Sequence, residues 1–368
     1  MSEAIIKALS FVTFIIIGLL LKSKFNNAEE VNGLKKIILL VALPCTIFVA
    51  LLKISLHVEL LLLPLFALGF NLFLFVITPA LLNLVGIKKK SIANTAKLLI
   101  PSLAPGLSCF PFILEFLGEP YLAKAAMTDL GNKFFVLFIL YLVAIKWHYR
   151  NKNNKQESDL TRLKTLVKVM LFEPINLLII LALILLVSGI SLSDLPLFLQ
   201  ENLNRLSLIM TPLVLLFIGL AVKIKKKQLG QVFSLLMLRY GISLLLIAGV
   251  VAALKIQTSQ DVLFMLAFGL SACSFWPFAH ISSIAAKEMD LPDHQKTFDN
   301  QFALGLLAMS LPLSVLLILI IFTTGDTFTN PLPIILLATG LITIGSLFTI
   351  FKWIKNQVVL KSDLRKIN

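Results

Sequence analysis

The sequence predicts an all-α polytopic membrane protein: two inverted five-helix repeats with broken crossover helices at spans four and nine, plus a C-terminal eleventh helix. Three observations carry the prediction. Apolar runs of bilayer length follow one another along the chain, basic residues gather in alternate connections between them, and a set of landmarks recurs at a shift of about 168 residues.

Of the 368 residues, 58% are hydrophobic and 14% charged, against about a quarter charged in a soluble domain, and the mean hydropathy is +0.95. One soluble core cannot hide that much apolar surface, so lipid must solvate part of it. In lipid only helices and closed barrels satisfy their own backbone hydrogen bonds. Runs that are near-continuous, instead of alternating with period two, select helices. Eleven stretches have the length: 4–22, 34–53, 58–83, 94–117, 132–147, 173–190, 205–222, 231–254, 262–286, 302–323 and 331–354. The first lacks a basic flank and a small-residue cleavage site, and is read as a retained helix. Span four contains Pro101, Pro105, Gly106 and Pro111; span nine contains Gly269, Pro277 and the run Ser271, Ala272, Cys273, Ser274. Proline removes a helical hydrogen bond and clashes with the preceding turn, so both spans are expected to be discontinuous.

The basic residues give the expected orientation. Of the 33 Lys and Arg, 26 fall in one alternating set of connections together with the C-terminal tail, 6 fall in the opposite set, and Arg239 lies inside span eight. Cytoplasmic loops carry such an excess. The expectation is therefore an integral protein of a bacterial inner (plasma) membrane, N-terminus outside and C-terminus cytoplasmic. The formal net charge of +14 then reports topology, and no nucleic-acid partner is expected. The largest basic connection, 148–172, separates a first repeat at 1–147 from a second at 173–323, with the extra helix and basic tail at 324–368.

The repeat rests on ordered matches. Pro44 aligns with Pro212, Phe110-Pro111-Phe112 with Trp276-Pro277-Phe278, and Asn132 and Phe134 with Asn300 and Phe302. Five crossings is an odd number, so the second copy enters from the opposite side. In transporters of this build the discontinuous helices meet near the midplane and turn freed backbone groups toward the substrate.

The stretch Ala104-Pro105-Gly106-Leu107-Ser108-Cys109-Phe110-Pro111 is followed by Leu117-Gly118-Glu119 and Asp129-Leu130-Gly131-Asn132, and the second copy carries Trp276-Pro277-Phe278 and Ser310-Leu311-Pro312-Leu313. In this order the chain resembles the auxin efflux carrier family of plant PIN-type and bacterial malate-permease-like proteins, over roughly 1–323. Gly106 and Pro111 match the family's first crossover motif, while Ala104 and Cys109 replace its asparagine and second glycine. The resemblance implies a ten-helix core in which spans one, two, six and seven form a scaffold. Spans three to five and eight to ten would form a mobile transport domain. It also implies organic anions, often carboxylates, as cargo.

The candidate substrate-binding residues follow from the two broken spans. Gly106, Ser108, Cys109 and Pro111 come from span four, and Ser271, Ser274, Pro277 and His280 from span nine. Arg239, about eight residues inside span eight, is either a counter-charge for an anion or a snorkelling cation. His280 binds substrate, carries a proton, or is a satisfied interior side chain. Asn132 and Asn300 open spans five and ten, where they either bond a carboxylate or cap a helix. Glu115 is a further candidate protonation site.

The expected function is a secondary membrane transporter of small organic anions, working by alternating access with an elevator-like motion. A proton or a sodium ion is the candidate coupling ion, and a homodimer is open. A sodium-coupled bile-acid-type symporter and a non-transporting receptor with a transporter fold are the alternatives. No phosphate-binding loop, metalloprotease motif, nucleophile elbow or metal-spaced His/Cys cluster is present in the sequence, so neither an enzyme nor a cofactor is expected.

Overall fold

The computed structural model describes residues 3–25, 27–53, 58–152, 168, 172, 174–221, 229–292 and 295–347. Most of the expected linker 148–172, and everything beyond 347, lies outside the described residues.

The chain opens with α1 (Glu3–Leu21). Helices α2 (Ala28–Ile37) and α3 (Leu43–Leu52) are joined by a π-helical turn, Ile38–Ala42. Pro44 supplies the cause: it has no N–H, and in a regular helix its ring would strike the carbonyl four residues back. Next come α4 (Val58–Val85), α5 (Lys90–Leu99), the single turn α6 (Pro105–Ser108) and α7 (Phe110–Leu117). Helix α8 (Glu119–Phe134) continues through a second π-helical turn, Phe135–Ile139, into α9 (Leu140–Lys152). The remaining helices are α10 (Pro174–Val187), α11 (Leu197–Leu208), α12 (Met210–Ala221), α13 (Leu229–Leu254), α14 (Ser259–Gly269), α15 (Phe275–Lys287), α16 (Asn300–Thr323) and α17 (Pro331–Leu347).

Among the described residues there is no strand, and seven helices are long and apolar enough to cross a membrane. The other expected spans are the shorter apolar helices α10 and α17 and the two proline-rich spans. Those two are interrupted by non-helical backbone at 100–104 and 270–274. The interruptions lie upstream of most of the prolines held responsible. Pro105 and Pro111 occupy the first turns of α6 and α7, and Pro277 lies in the first turn of α15, where a missing N–H costs nothing.

Span five begins earlier than the sequence reading puts it. The helix starts at Glu119, directly after Gly118, whose φ of +84° is open to glycine. Pro120 stands in the first turn. Asp129 and Asn132 therefore sit within a helix of bilayer length and cap nothing.

The helices sort into two packed groups. In the first, α1 crosses α12 and α3 packs on α10 and α11. Gly18 faces Gly219 at the α1–α12 crossing: a Cβ on Gly219 would stand 2.2 Å from the Ile15 carbonyl oxygen. Small residues allow this backbone approach, which is how helices hold together in lipid without a hydrophobic drive. The second group gathers α4, α5, α8, α9, α13, α14, α15 and α16. Here Gly131 of α8 lies so close to α4 that a Cβ would come within 1.8 Å of the Pro64 oxygen. Helix α17 adheres to α13 beside Gly241 and Gly345, where Ser234 donates to the Gly345 carbonyl. Large apolar side chains such as Val76, Val187 and Leu254 are at least 70% exposed, as expected of helix faces turned to lipid.

Candidate functional site

The two non-helical stretches cross each other. Unwinding frees backbone donors and acceptors that lipid cannot satisfy, and most of their replacements come from serine hydroxyls. The Ala104 N–H donates to the Ala272 carbonyl at 2.8 Å, tying one stretch to the other. Ser108 Oγ donates to the Ala104 carbonyl and accepts from Ala272 N–H at 3.0 Å. Ser102 Oγ donates to the Leu99 carbonyl and accepts from Ser274 N–H at 3.0 Å. From α16, Ser310 Oγ accepts from Cys273 N–H at 3.2 Å and Ser314 donates to the Leu270 carbonyl at 2.6 Å.

Two larger side chains hold the first stretch. Asn132 brackets Leu103, accepting from its N–H at 3.1 Å and donating to its carbonyl at 2.9 Å. Its remaining contacts are Asn71 Nδ2 at 3.0 Å and Asp129 Oδ1 at 2.8 Å. Arg239, fully buried, donates from Nε to the Ile100 carbonyl at 2.8 Å and from Nη2 to the Ser102 carbonyl at 3.1 Å. A cation at the carbonyl end of the half-helix α5 complements the helix dipole. Neither sequence reading of Arg239 describes this geometry: the guanidinium does not reach the protein surface and does not line the cavity below. Its Nη1 has no hydrogen-bond partner among the described residues.

A cavity of about 450 Å³ opens beside the crossing. Both non-helical stretches wall it, with Leu103, Ala104 and Gly106 on one side and Ala272, Ser274 and Trp276 on the other. Its lining is mostly apolar, but Lys35, Lys133 and Asp129 also face it. Lys133, on α8, is 5% exposed. Its Nζ lies 3.0 Å from Asn176 Oδ1 and 3.6 Å from Asp129 Oδ2. Lys35, on α2, places Nζ 3.9 Å above the Phe275 ring.

The predicted site residues divide accordingly. Gly106, Asn132 and Ser274 line the cavity. Ser108 holds the crossing together, and Ser271 back-bonds to the Ala267 carbonyl. Cys109, between α6 and α7, is fully buried. Pro111 and Pro277 stand in the first turns of α7 and α15 and do not line the cavity, although Phe275, Trp276 and Ala279 beside Pro277 do. His280 turns to the π-helical turn of α8, its Nε2 3.2 Å from the Val136 carbonyl, with Tyr141 edge-on. Asn300 accepts from Ser282 at 3.0 Å and lines a different, polar cavity of about 440 Å³ with Lys89, Lys296 and Asp299. The cap of α16 is Asp299, which accepts from Phe302 N–H. The Glu115 carbonyl accepts from Lys7 Nζ at 3.0 Å.

Sequence reasoning singled out neither Lys35 nor Lys133 and missed that they share a cavity. It also missed Glu288, whose carboxylate is wholly buried at the end of α15. Glu288 accepts from Thr297 N–H and Oγ1, both at 2.7 Å, and lies 2.6 Å from His148 Nδ1. The i,i+4 spacing of Asp129 and Lys133 was a signal for the first omission. No signal exists for the second, because the ionisable partner, His148, is 140 residues away in the chain. Among the described residues no cluster of His, Cys, Asp and Glu has the makings of a metal site. No protein-family model matches the chain, and no curated protein matches it in sequence.

Proposed function

We propose that the chain is a secondary transporter of small organic anions, related in build to the auxin efflux carriers that its crossover motifs resemble. The seven long helices, the two short apolar ones and the two interrupted spans are read together as eleven crossings. The first ten form two inverted copies, with the cytoplasmic face on the side of the basic excess. The first helix group, α1 to α3 with α10 to α12, serves as the scaffold. The second group carries the crossing and moves as an elevator.

One observation carries the reading. A cavity of about 450 Å³ is walled by both unwound stretches and holds two lysines against one carboxylate, Lys35 and Lys133 against Asp129. Ion-bearing side chains at membrane depth are costly and mark pathways. Two lysines beside the crossing of the interrupted spans, in a mostly apolar cavity, fit an anion with an apolar body. The test is uptake into proteoliposomes of labelled acetate, benzoate, succinate and citrate under imposed proton, sodium and voltage gradients. Movement of at least one, saturable and lost in Lys133→Met, is the expected result. Movement of none under any gradient would sink the organic-anion reading.

A further inference from the structure

The polar cavity of about 440 Å³ shares no lining residue with the cavity beside the crossing. Its walls come from the start of α5, the last turns of α15 and the start of α16. Bonds between these elements fix the walls. Asn94 of α5 donates to the Thr297 carbonyl at 3.2 Å, and Thr95 Oγ1 accepts from Asp299 N–H at 2.9 Å. Ser282 of α15 donates to Asn300 Oδ1 at 3.0 Å. Two helix N-termini therefore border one space, and they differ. At α16 the cap is made: Asp299 accepts from Phe302 N–H at 3.0 Å. At α5 the cap position is Lys89, whose side chain has no acceptor, and no side chain caps the helix. The first bond within α5 runs from Ala93 N–H to the Lys89 carbonyl, so the N–H groups of Ser91 and Ile92 find no carbonyl inside the helix. Ser91 supplies a second, independent sign. It lines the cavity, is 4% exposed, and its Oγ has no hydrogen-bond partner among the described residues. A buried hydroxyl left unsatisfied is costly and calls for a partner.

We infer that this cavity binds a phosphate group, carried by a small soluble compound or by a lipid headgroup, and seats it at the start of α5 against Ser91 and Lys89. A helix N-terminus offers free N–H groups and the positive end of the dipole, which together favour an oxyanion. Ser91 Oγ donates the hydrogen bond it lacks in the empty protein. Lys89 lies on an exposed side chain, 3.5 Å from Asp299 Oδ2. That contact is long, and a phosphate oxygen offers the ammonium a closer one. Asp299 is the acid among the lining residues, and its Oδ1 stays on the α16 cap. The space exceeds a bare phosphate, so the ligand brings a polar body to Asn300 and Ser282. None of this depends on the organic-anion reading, which stands or falls on the other cavity.

The test measures binding of inorganic phosphate and glycerol 3-phosphate to the full chain in lipid nanodiscs, with glycerol as the uncharged control. The readouts are Kd and the melting temperature. The wild type should bind glycerol 3-phosphate and not glycerol. Ser91→Ala should weaken binding about tenfold or more, the value of one hydrogen bond to a charged group. Its empty form should melt no lower than the wild type, because the hydroxyl has no partner to lose. Lys89→Gln should weaken binding as well. Nanodiscs of phosphatidylcholine and of phosphatidylglycerol separate the two sources. Equal binding of the soluble probe in both supports a free compound. A higher melting temperature in phosphatidylglycerol, with the soluble probe masked and both effects lost in Ser91→Ala, supports a lipid headgroup. If the wild type binds no probe and melts alike in both lipids, the phosphate site is wrong. It is equally wrong if Ser91→Ala binds as tightly as the wild type. Should Ser91→Ala fail to fold, unchanged binding in Lys89→Gln overturns the site instead.

Discussion

Asn132→Leu replaces a side chain with four hydrogen bonds by one of similar size with none. It removes the acceptor for Leu103 N–H, the donor for the Leu103 carbonyl, and the contacts to Asn71 and Asp129. Hydrogen bonds between side chains in membranes average about 0.6 kcal/mol, so four lost bonds set a floor of roughly 2 kcal/mol. Leu103 is 1% exposed, and its N–H and carbonyl lose these partners once Asn132 is gone. Two orphaned backbone groups at about 1–3 kcal/mol each raise the ceiling to roughly 6 kcal/mol. Asn71→Leu removes one of the four bonds and leaves the bracket around Leu103 intact, so it should cost about a quarter as much. A thiol-reactive dye followed on heating suits the measurement, because Cys109 and Cys273 are both buried beside the crossing. Asn132→Leu should melt several degrees below Asn71→Leu, and amide exchange at 100–104 should rise by at least about tenfold. Equal melting of the two variants, with unchanged exchange at 100–104, would refute the view that Asn132 holds the unwound stretch.

Arg239→Met opposes two terms of similar size: it orphans the Ile100 and Ser102 carbonyls, at about 1–3 kcal/mol each, and removes a buried charge that costs about 2.5–3.5 kcal/mol to insert. Global melting should therefore shift little while exchange at 100–104 rises; a large loss of global stability with unchanged exchange would show that Arg239 does not act on α5. Gly219→Val drives a side chain into the Ile15 carbonyl 2.2 Å away. It should abolish the folded peak in size-exclusion chromatography, whereas Gly249→Val, with nothing within 4 Å, should not. Glu288→Leu strands Thr297 N–H and His148 and should cost about 3 kcal/mol or more in thermal unfolding. Glu288→Gln can still accept from Thr297 and should cost less than half of that.

What was legible in the sequence is what the bilayer imposes by length. Val58–Val85 and Asn300–Thr323 announce themselves because lipid-facing helices need apolar residues all round. The interrupted spans were legible through their prolines, but the points of interruption were not. Pro105, Pro111 and Pro277 are tolerated in first turns. What permits unwinding at 100–104 and 270–274 is the supply of substitute partners from Ser102, Ser108, Ser310 and Ser314, which is a tertiary property. The start of span five was misplaced for a different reason. Glu119, Lys124, Asp129 and Lys133 depress the hydropathy of 118–133, and the segment reads as a loop. In the fold each has an opposite charge at hand: Glu119 meets Lys53 and Lys124 meets Asp261, both at 2.8 Å, and Asp129 meets Lys133. Gly118 and Pro120 were the overlooked start signal.

The way the crossing is satisfied constrains how the protein can move. Ser102 and Ser108 each donate to a carbonyl three or four residues back and accept an N–H from the opposite stretch, and Ser310 does the same for Cys273 from α16. On the proposed motion, a relative slide of the two stretches would break the Ser102 and Ser108 bonds together and strand buried groups on both sides, so the crossing would travel as one piece. Across the boundary between the helix groups the contacts are of another kind. Phe11 packs against Phe112 and Phe116, contacts without directional bonds that a slide can exchange for others. Among the described residues, polar contacts there include lysine tips: Lys7 to the Glu115 carbonyl, Lys53 to Glu119 and Lys133 to Asn176. A lysine side chain reaches its partner through four flexible methylene groups and can re-aim. The interior bonds are short and reciprocal, and the boundary bonds are long-armed and replaceable. On the proposed elevator motion, that contrast would put the compliant surface between the groups, beside the cavity that Lys133 and Lys35 line.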